Sequence, residues 1–289
     1  MAEPWHHHTA ARRFDAHALR RDDADGMPED AHNLLPLSVS IVCMNNEATI
    51  GRTVDSVRAF AAEIIAVDSG STDGTVGILE QAGVRVVHQE WLGHVKQKQH
   101  ALELCTQPWI LHLDSDESVE PELASSIKAA LAADDPAIHA YSLNRRVWWA
   151  GRMLNHAWQP EWRTRLVRRG SARWGGYDPH DKLDTIDANA RTERLTGILR
   201  HDSIPSIAEF LARQASHARI AAASYEAMGR RGSVVSLITS PVGAWLKQVV
   251  LRSAWRDGWR GWVAASATAA AAMMKHAALL ERTRGKDTA

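Results

Sequence analysis

The chain has 289 residues, room for one large α/β core with an appendage, since single cores stop growing near roughly 250–300 residues. Its 34 Lys+Arg balance 34 Asp+Glu, so no global basic field exists to hold a polyanion by counterion release, which argues against nucleic acid as a partner. Two cysteines, Cys43 and Cys105, are too few for a disulfide framework and suit a reducing compartment, so a cytoplasmic location is expected.

Residues 1–36 read as a disordered polar tail. No apolar run follows a basic start, so no export signal is expected, and His6, His7 and His8 read as a solvated tract with no function assigned. Residues 37–44 form a β-branched strand that ends at Asn45-Asn46-Glu47. Ile50, Val54, Val57 and Ala61 recur at helical spacing over residues 48–62, and an apolar strand follows to Val67. Asp68-Ser69-Gly70-Ser71-Thr72-Asp73-Gly74-Thr75 supplies turn chemistry before a helix to Gln81. A strand over 84–88, a helix over 96–105, a strand over 109–113 and a helix over 121–132 complete an alternation that predicts a parallel sheet between helices. Residues 137–146 continue as extended chain. Residues 147–201 lose periodicity amid Trp, Arg, Gly and His and read as a loop-rich region over the sheet edge, and from Ser206 the pattern is helical. The expected division is a tail over 1–36, a catalytic α/β domain over 37–205 and a helical extension over 206–289.

In a parallel sheet, ligands bind at the carboxyl ends of strands, and three polar clusters stand there: Asn45-Asn46-Glu47, Asp68 with its turn, and Asp114-Ser115-Asp116. Asp68 serves equally well as a helix cap. Two carboxylates separated by one residue at the mouth of a buried strand repel, and a cation, a partner charge or protonation must relieve them. A hard divalent ion, Mg²⁺ or Mn²⁺, does so and also clamps a diphosphate. No G-x-G-x-x-G follows the first strand and no G-x-x-x-x-G-K-[ST] occurs, which sets aside dinucleotide enzymes and P-loop NTPases.

Ser-Ile-Val-Cys-Met-Asn-Asn-Glu, Val-Asp-Ser-Gly-Ser-Thr-Asp-Gly-Thr, Trp-Leu-Gly-His-Val-Lys-Gln-Lys-Gln and Leu-His-Leu-Asp-Ser-Asp-Glu, in this order and spacing, resemble glycosyltransferase family 2. Lys96-Gln97-Lys98-Gln99, Pro179-His180-Asp181, Leu199-Arg200-His201 and the helical tail are similar to the lipopolysaccharide core glucosyltransferases of that family, over residues 37–282. The resemblance implies a GT-A fold, a nucleoside-diphosphate sugar donor with UDP-glucose expected, a lipopolysaccharide core or related glycolipid acceptor, and inversion by direct displacement. It assigns Asn46, Glu47 and Asp68 to the nucleoside, Asp114 to the ribose side, Lys96 and Lys98 to the nucleotide, Asp116 to the divalent metal and Asp181 to the base. The sequence departs from the pattern at Asn45, where Lys is usual, and at Asp181, where Glu is commoner, so His180 and Glu161 stand as alternative bases. Arg163 and Arg165 fit a diphosphate or an anionic acceptor, or else a solvated charge run. His201 is a metal ligand or a structural histidine.

Twelve Trp stand against three each of Phe and Tyr, so their placement carries information. Over 245–262, Trp255, Trp259 and Trp262 fall on one helical stripe and Arg252, Arg256 and Arg260 on the next, an interfacial pattern. The apolar run 263–274 is 12 residues long, against about 20 for a span. Peripheral attachment to the inner membrane is expected, with a Trp stripe packed on the catalytic core as the alternative. Other functional readings are the same fold with another donor or a polyprenyl-linked acceptor, and a non-catalytic sugar-nucleotide-binding scaffold.

Overall fold

A computed structural model describes residues 34–177 and 180–284. The His6–His8 tract, Pro179 and the side chain of His180 lie outside the described residues.

The first half follows the expected alternation, with one short strand, β5, that was not expected: β1 (Leu35–Cys43), α1 (Ile50–Asp55), β2 (Ala61–Asp68), α2 (Thr75–Gln81), β3 (Arg85–His88), α3 (His94–Glu103), β4 (Trp109–Asp114), β5 (Glu117–Val119) and α4 (Pro121–Ala133). The helix expected over 48–62 stops at Asp55. Val57 and Phe60 are carried inward by tight turns, and Ala61 already pairs with Leu35 at the start of the next strand. Then come β6 (Ile138–Trp149), β7 (Arg152–Met153), β8 (Trp162–Arg168), β9 (Ala172–Tyr177), β10 (His180–Thr185) and β11 (Arg191–His201). The region expected to be loop-rich is therefore largely stranded. Its alternation is hidden because β8 is buried on both faces near its centre, with Arg165 on one side and Leu166 on the other. A strand whose buried face carries paired arginines does not read as apolar-polar.

The main sheet runs β3-β2-β1-β4-β8-β6-β11-β5, with β7 on β6. It is parallel over β3-β2-β1-β4 and mixed beyond, because β8 is antiparallel to both β4 and β6. Leu37, Val39 and Ile41 of β1 face α1, α2 and α4, where Ile50, Val54, Leu79, Leu123 and Ile127 close the larger core. On the other face, Ile65, Ile110 and Val167 pack with Leu102 of α3 and with Trp174 and Leu183 of the β9-β10 hairpin. The sheet is thus covered on both sides, as a parallel sheet requires.

The tail comprises α5 (Ile207–Ala227), α6 (Val234–Leu246), a π-helical turn (Lys247–Leu251), a 3-10 turn (Ala254–Asp257) and α7 (Trp259–Arg284). The single amphipathic helix expected over 245–262 does not form. Ser253 (φ 54°) and Gly258 (φ 65°) turn the chain through a corner. There the Asp257 carboxylate accepts from the N–H groups of Asn155, His156 and Ala157 at 3.0, 2.9 and 2.8 Å. Trp255, Trp259 and Trp262 are all about half exposed, and of the three Trp259 packs edge-on against the buried Trp149, centroids 5.1 Å apart, so the alternative of a Trp stripe on the core is met in part. α6 buries no residue, and its Val235, Ile238, Val242 and Leu246 continue into the exposed Val250 and Leu251. The apolar run 263–274 is the middle of a helix of 26 residues, so α7, like the 18-residue segment Val234–Leu251, has the length and composition of a span. Length therefore does not limit membrane contact in the way the apolar run alone suggested.

Gly197 in β11 has φ +91°, and a Cβ there would stand 2.3 Å from the backbone nitrogen of Leu123 in α4. It sits at the register shift between β11 and β6 that brings His201 to the sheet end. Gly197→Ala is expected to lower unfolding free energy by roughly 2–4 kcal/mol, from backbone strain plus overpacking. Exposed Gly77 in α2, where nothing lies within 4 Å, makes the contrast: Gly77→Ala should raise stability by about 0.5–1 kcal/mol. Urea denaturation of both variants beside the parent checks the pair.

Candidate active site

The parallel half of the sheet ends in three loops that hold one another. Asn45 (φ 56°) accepts through Oδ1 from the Thr72 N–H at 2.8 Å, and its own N–H donates to Ser71 Oγ at 2.9 Å. The Asn46 N–H donates to Thr75 Oγ1 at 2.7 Å, and Glu47 Oε2 accepts from the Gly74 N–H at 2.8 Å. Asp68, 3% exposed, accepts from the N–H groups of Gly70 and Ser71 and from the Ser71 hydroxyl. Burial alone would raise its pKa; the Ser71 and Gly70 donors outweigh it and hold the carboxyl below its ordinary range. The Glu47 and Asp68 side chains are thus spent on fixing these loops, whereas Asn46 contributes its backbone N–H and keeps its side chain on the nearby Met44 N–H at 2.8 Å.

Around the end of β4 the charges are buried and paired. Asp114 accepts from Lys98 Nζ at 2.8 Å through Oδ1 and from Arg165 Nη2 at 2.7 Å through Oδ2. Burial would raise its pKa, and Arg165 and Lys98 reverse this and hold it well below the usual carboxylate range. Glu117, fully buried, accepts from Arg145 Nη1 (3.1 Å) and Arg165 Nη2 (2.8 Å) through Oε1 and from the Asp114 N–H (3.1 Å) through Oε2. Arg145 also makes a two-pronged contact with Glu161 (Nη2–Oε1 2.7 Å, Nε–Oε2 3.2 Å), which Arg163 shares at 2.7 Å. Burial opposes ionisation of Glu161, yet Arg145 and Arg163 bring it down to about 2. Lys98 reaches on to Asp181 Oδ2 at 2.8 Å, so one ammonium bridges two carboxylates, with the Trp174 ring 4.8 Å from it. Burial would raise the pKa of Asp181, and Lys98 holds it below the ordinary range. Behind Asp114 lies His112, wholly buried, with Nδ1 3.0 Å from Ser40 Oγ and its pKa depressed by burial to about 4. It is a neutral wall.

The expected repulsion between Asp114 and Asp116 is relieved at Asp114 by the charges of Lys98 and Arg165, while Asp116 has an imidazole beside it. Asp116 Oδ2 faces His201 Nε2 at 3.4 Å, and His201 lowers its pKa against the effect of burial. Among the described residues no group of three His, Cys, Asp or Glu could hold a metal. Asp116 and His201 nevertheless form an oxygen and nitrogen pair that fits an ion taking its remaining ligands from phosphate and water, as Mg²⁺ and Mn²⁺ do. Among the described residues His201 Nδ1 is buried without a hydrogen-bond partner, where a metal-bound imidazole is ordinarily oriented by one.

A cavity of 360 Å³ is lined by Lys98, Asp114, Arg163, Arg165, Trp174 and Asp181, among others. These sequence candidates meet in one place. Asn46, Glu47, Asp68 and Lys96 do not line it; Lys96 is exposed, about 200° around α3 from Lys98. Arg165, 4% exposed and doubly paired, is no solvated charge. Arg145 and Trp174 in the cavity wall, and Glu117 and His112 behind it, are residues that the sequence pattern does not single out. Glu117 directly after the Asp pair was the one available signal; Arg145 lies in an unremarkable extended run. Both thiols are pushed up to about 12, by burial first, and are not nucleophiles.

The Glu161 pairings yield a pH prediction. A carboxyl at about 2 when folded, against 4.5 unfolded, contributes stability that is fully present above pH 4.5 and is lost as pH falls toward 2, on the order of 3 kcal/mol at most. The Tm gap between the parent and Glu161→Gln should therefore be widest at neutral pH and close progressively below pH 4.5. A gap independent of pH would refute the ionic origin.

The sequence profile described as "Glycosyl transferase family 2" matches residues 38–183. A lipopolysaccharide core biosynthesis glycosyltransferase, LpsC, of Rhizobium meliloti is 31% identical over 261 residues, covering 86% of this chain and 93% of that protein. An uncharacterized glycosyltransferase of Rickettsia typhi is 27% identical over 255 residues, covering 85% and 87%. Among solved structures, glucosyl-3-phosphoglycerate synthase from Mycobacterium tuberculosis, in complex with phosphoglyceric acid, superposes with a TM-score of 0.46 at 19% identity, covering 71% of this chain and 83% of that one.

Proposed function

This chain belongs to glycosyl transferase family 2, and on that premise we propose that it moves a hexose, glucose from UDP-glucose, to a lipopolysaccharide core or related glycolipid acceptor with inversion at the anomeric carbon. The observation that carries the reading is the cavity at the end of β4, where Asp114, Lys98, Arg165 and Asp181 converge. Lys98 and Arg165 suit a diphosphate, whose arrival would compete with Asp114 and Asp181 for their donors.

In the proposed displacement the acceptor oxygen bonds to the anomeric carbon as the bond from that carbon to the diphosphate oxygen breaks. The acceptor proton goes to a carboxylate and the electron pair to the leaving group. Asp181 is the favoured base over Glu161. Glu161 has both oxygens occupied by guanidinium groups and titrates at about 2, whereas Asp181 is engaged through Oδ2 alone among the described residues. Asp116 and His201 would hold a divalent ion, which supplies positive charge to the diphosphate.

Attachment to the cytoplasmic surface of the inner membrane is part of the proposal. The exposed row Val235, Ile238, Val242, Leu246, Val250 and Leu251, the last 80% exposed, adjoins Trp255, Trp259 and Trp262 and the basic Lys247, Arg252 and Arg256. Apolar side chains beside Trp and Arg suit the headgroup boundary of an anionic leaflet.

Two measurements test these readings. Nucleoside diphosphate release from a panel of sugar nucleotides, with Mg²⁺ or Mn²⁺ and truncated lipopolysaccharide, should be acceptor-dependent and fall about 10²- to 10⁴-fold in Asp181→Asn. Asp116→Ala should abolish the metal dependence of UDP binding, and a parent protein that binds no nucleotide sinks the assignment. In co-sedimentation, the parent should partition onto phosphatidylglycerol vesicles and Leu251→Asp should do so about tenfold less, at a cost of about 1.4 kcal/mol. A parent that stays in the supernatant rules attachment out.

A further inference from the structure

A second cavity, of 470 Å³, opens beside the first and shares Arg145 and Arg163 with it. Its walls come from two parts of the chain. The sheet side gives Val147 of β6, the Trp158, Pro160 and Glu161 loop, and His201 at the end of β11; the tail gives Phe210 of α5, Arg252 of the corner, and Ala267, Thr268 and Ala271 of α7. The small residues on α7 leave the space open.

Its chemistry is consistent throughout. Arg145 and Arg163 share the Glu161 carboxylate and Arg145 is matched by Glu117 as well, so Arg252, with no ion pair among the described residues, is the cation left in excess at the cavity. The Trp158 and Phe210 rings, with centroids 5.8 Å apart, supply flat apolar surface of the kind that takes the C–H face of a sugar ring. Trp158 is held by the tail: its N–H donates to Gln248 Oε1 at 3.0 Å and its indole N–H to Thr268 Oγ1 at 2.9 Å. His201, paired with Asp116, lines the cavity and carries an unpartnered buried Nδ1. A group bound here would therefore adjoin both the donor cavity and the Asp116–His201 pair.

We propose that this second cavity is the acceptor site and that it selects an anionic saccharide, one bearing phosphate or carboxylate groups, with Arg252 and the Trp158–Phe210 surface as its specificity elements. This rests on the glycosyl-transfer reading and deepens it: the C-terminal helices build one wall of the substrate site as well as a lipid-facing surface.

The test is calorimetric titration of the full chain with two probes, UDP plus Mn²⁺ and the deacylated core saccharide of truncated lipopolysaccharide. The saccharide is used intact, after dephosphorylation, and after carboxyl reduction as well. The intact saccharide should bind the parent. Arg252→Gln should weaken it about ten- to a hundredfold, the loss of one charge-assisted contact, and Ala271→Leu should weaken it at least as much by filling the cavity. UDP binding should stay within about twofold in both variants, with unchanged circular dichroism reporting an intact fold. Weakening on dephosphorylation alone identifies phosphate as the recognised group, and weakening only on carboxyl reduction identifies carboxylate. Equal binding of the doubly neutralised saccharide overturns the anionic selection, and undiminished saccharide binding in Ala271→Leu, or none in the parent, overturns the site. Failure of the parent to bind UDP is a separate result that strikes the glycosyl-transfer reading itself.

Discussion

At the end of β4 the chain takes the Glu117 carboxylate out of water and leaves Asp114 only partly exposed in the cavity wall, which it can do only by bringing Lys98, Arg145 and Arg165 to them. Each uncompensated ion there would cost several kcal/mol, and removing one member of a buried pair typically costs about 3–5 kcal/mol. Three elements must therefore meet with little tolerance: α3 brings Lys98, β6 brings Arg145 and β8 brings Arg165. The switch of the sheet from parallel to mixed order happens at the same place, where β8 inserts antiparallel between β4 and β6. Charge compensation and topology are one constraint seen from two sides.

That cluster also sets how the cavity can work. Its cations are engaged before any substrate arrives, so a diphosphate meets donors that are already oriented, at the cost of displacing carboxylates. Asp181 is kept ionised by the same Lys98 that also holds Asp114, so under the proposed reaction the base and the leaving group would be coupled through one ammonium. Neutral His112 behind Asp114 adds no positive charge of its own.

Local pattern carried much of this. The alternation up to Ala133, apart from the short β5, was legible because β1 to β4 are short apolar runs and each helix repeats at its own period, and the turn residues around Asp68 and the Asp pair after β4 marked the sheet's carboxyl edge. Illegible were elements whose buried faces are polar. β8 presents Arg165 inward, and its alternation becomes visible only when Asp114 and Glu117 are known to be its partners. The corner between α6 and α7 was read as continuous helix because Ser253 and Gly258 are tolerable in a helix, while the Asp257 carboxylate that fixes the corner acts on a loop about a hundred residues away in sequence. Lys96 and Lys98 share a motif but not a helix face, a distinction that angular position decides and motif matching ignores.

The Asp257 contacts bear on where this protein can be divided. Val147, Trp149, Leu154 and Ala157 are buried in a small core completed by Ile204, Ala254 and Ala264, and the backbone N–H groups of 155–157 end on Asp257. A chain cut after residue 205 would expose two tryptophans, Trp149 and Trp158, and strand three amide donors at the lip of the loop that carries Glu161. The catalytic sheet and the helices behind it are thus separable on paper at a composition boundary, but they share their last layer of core and have no seam there.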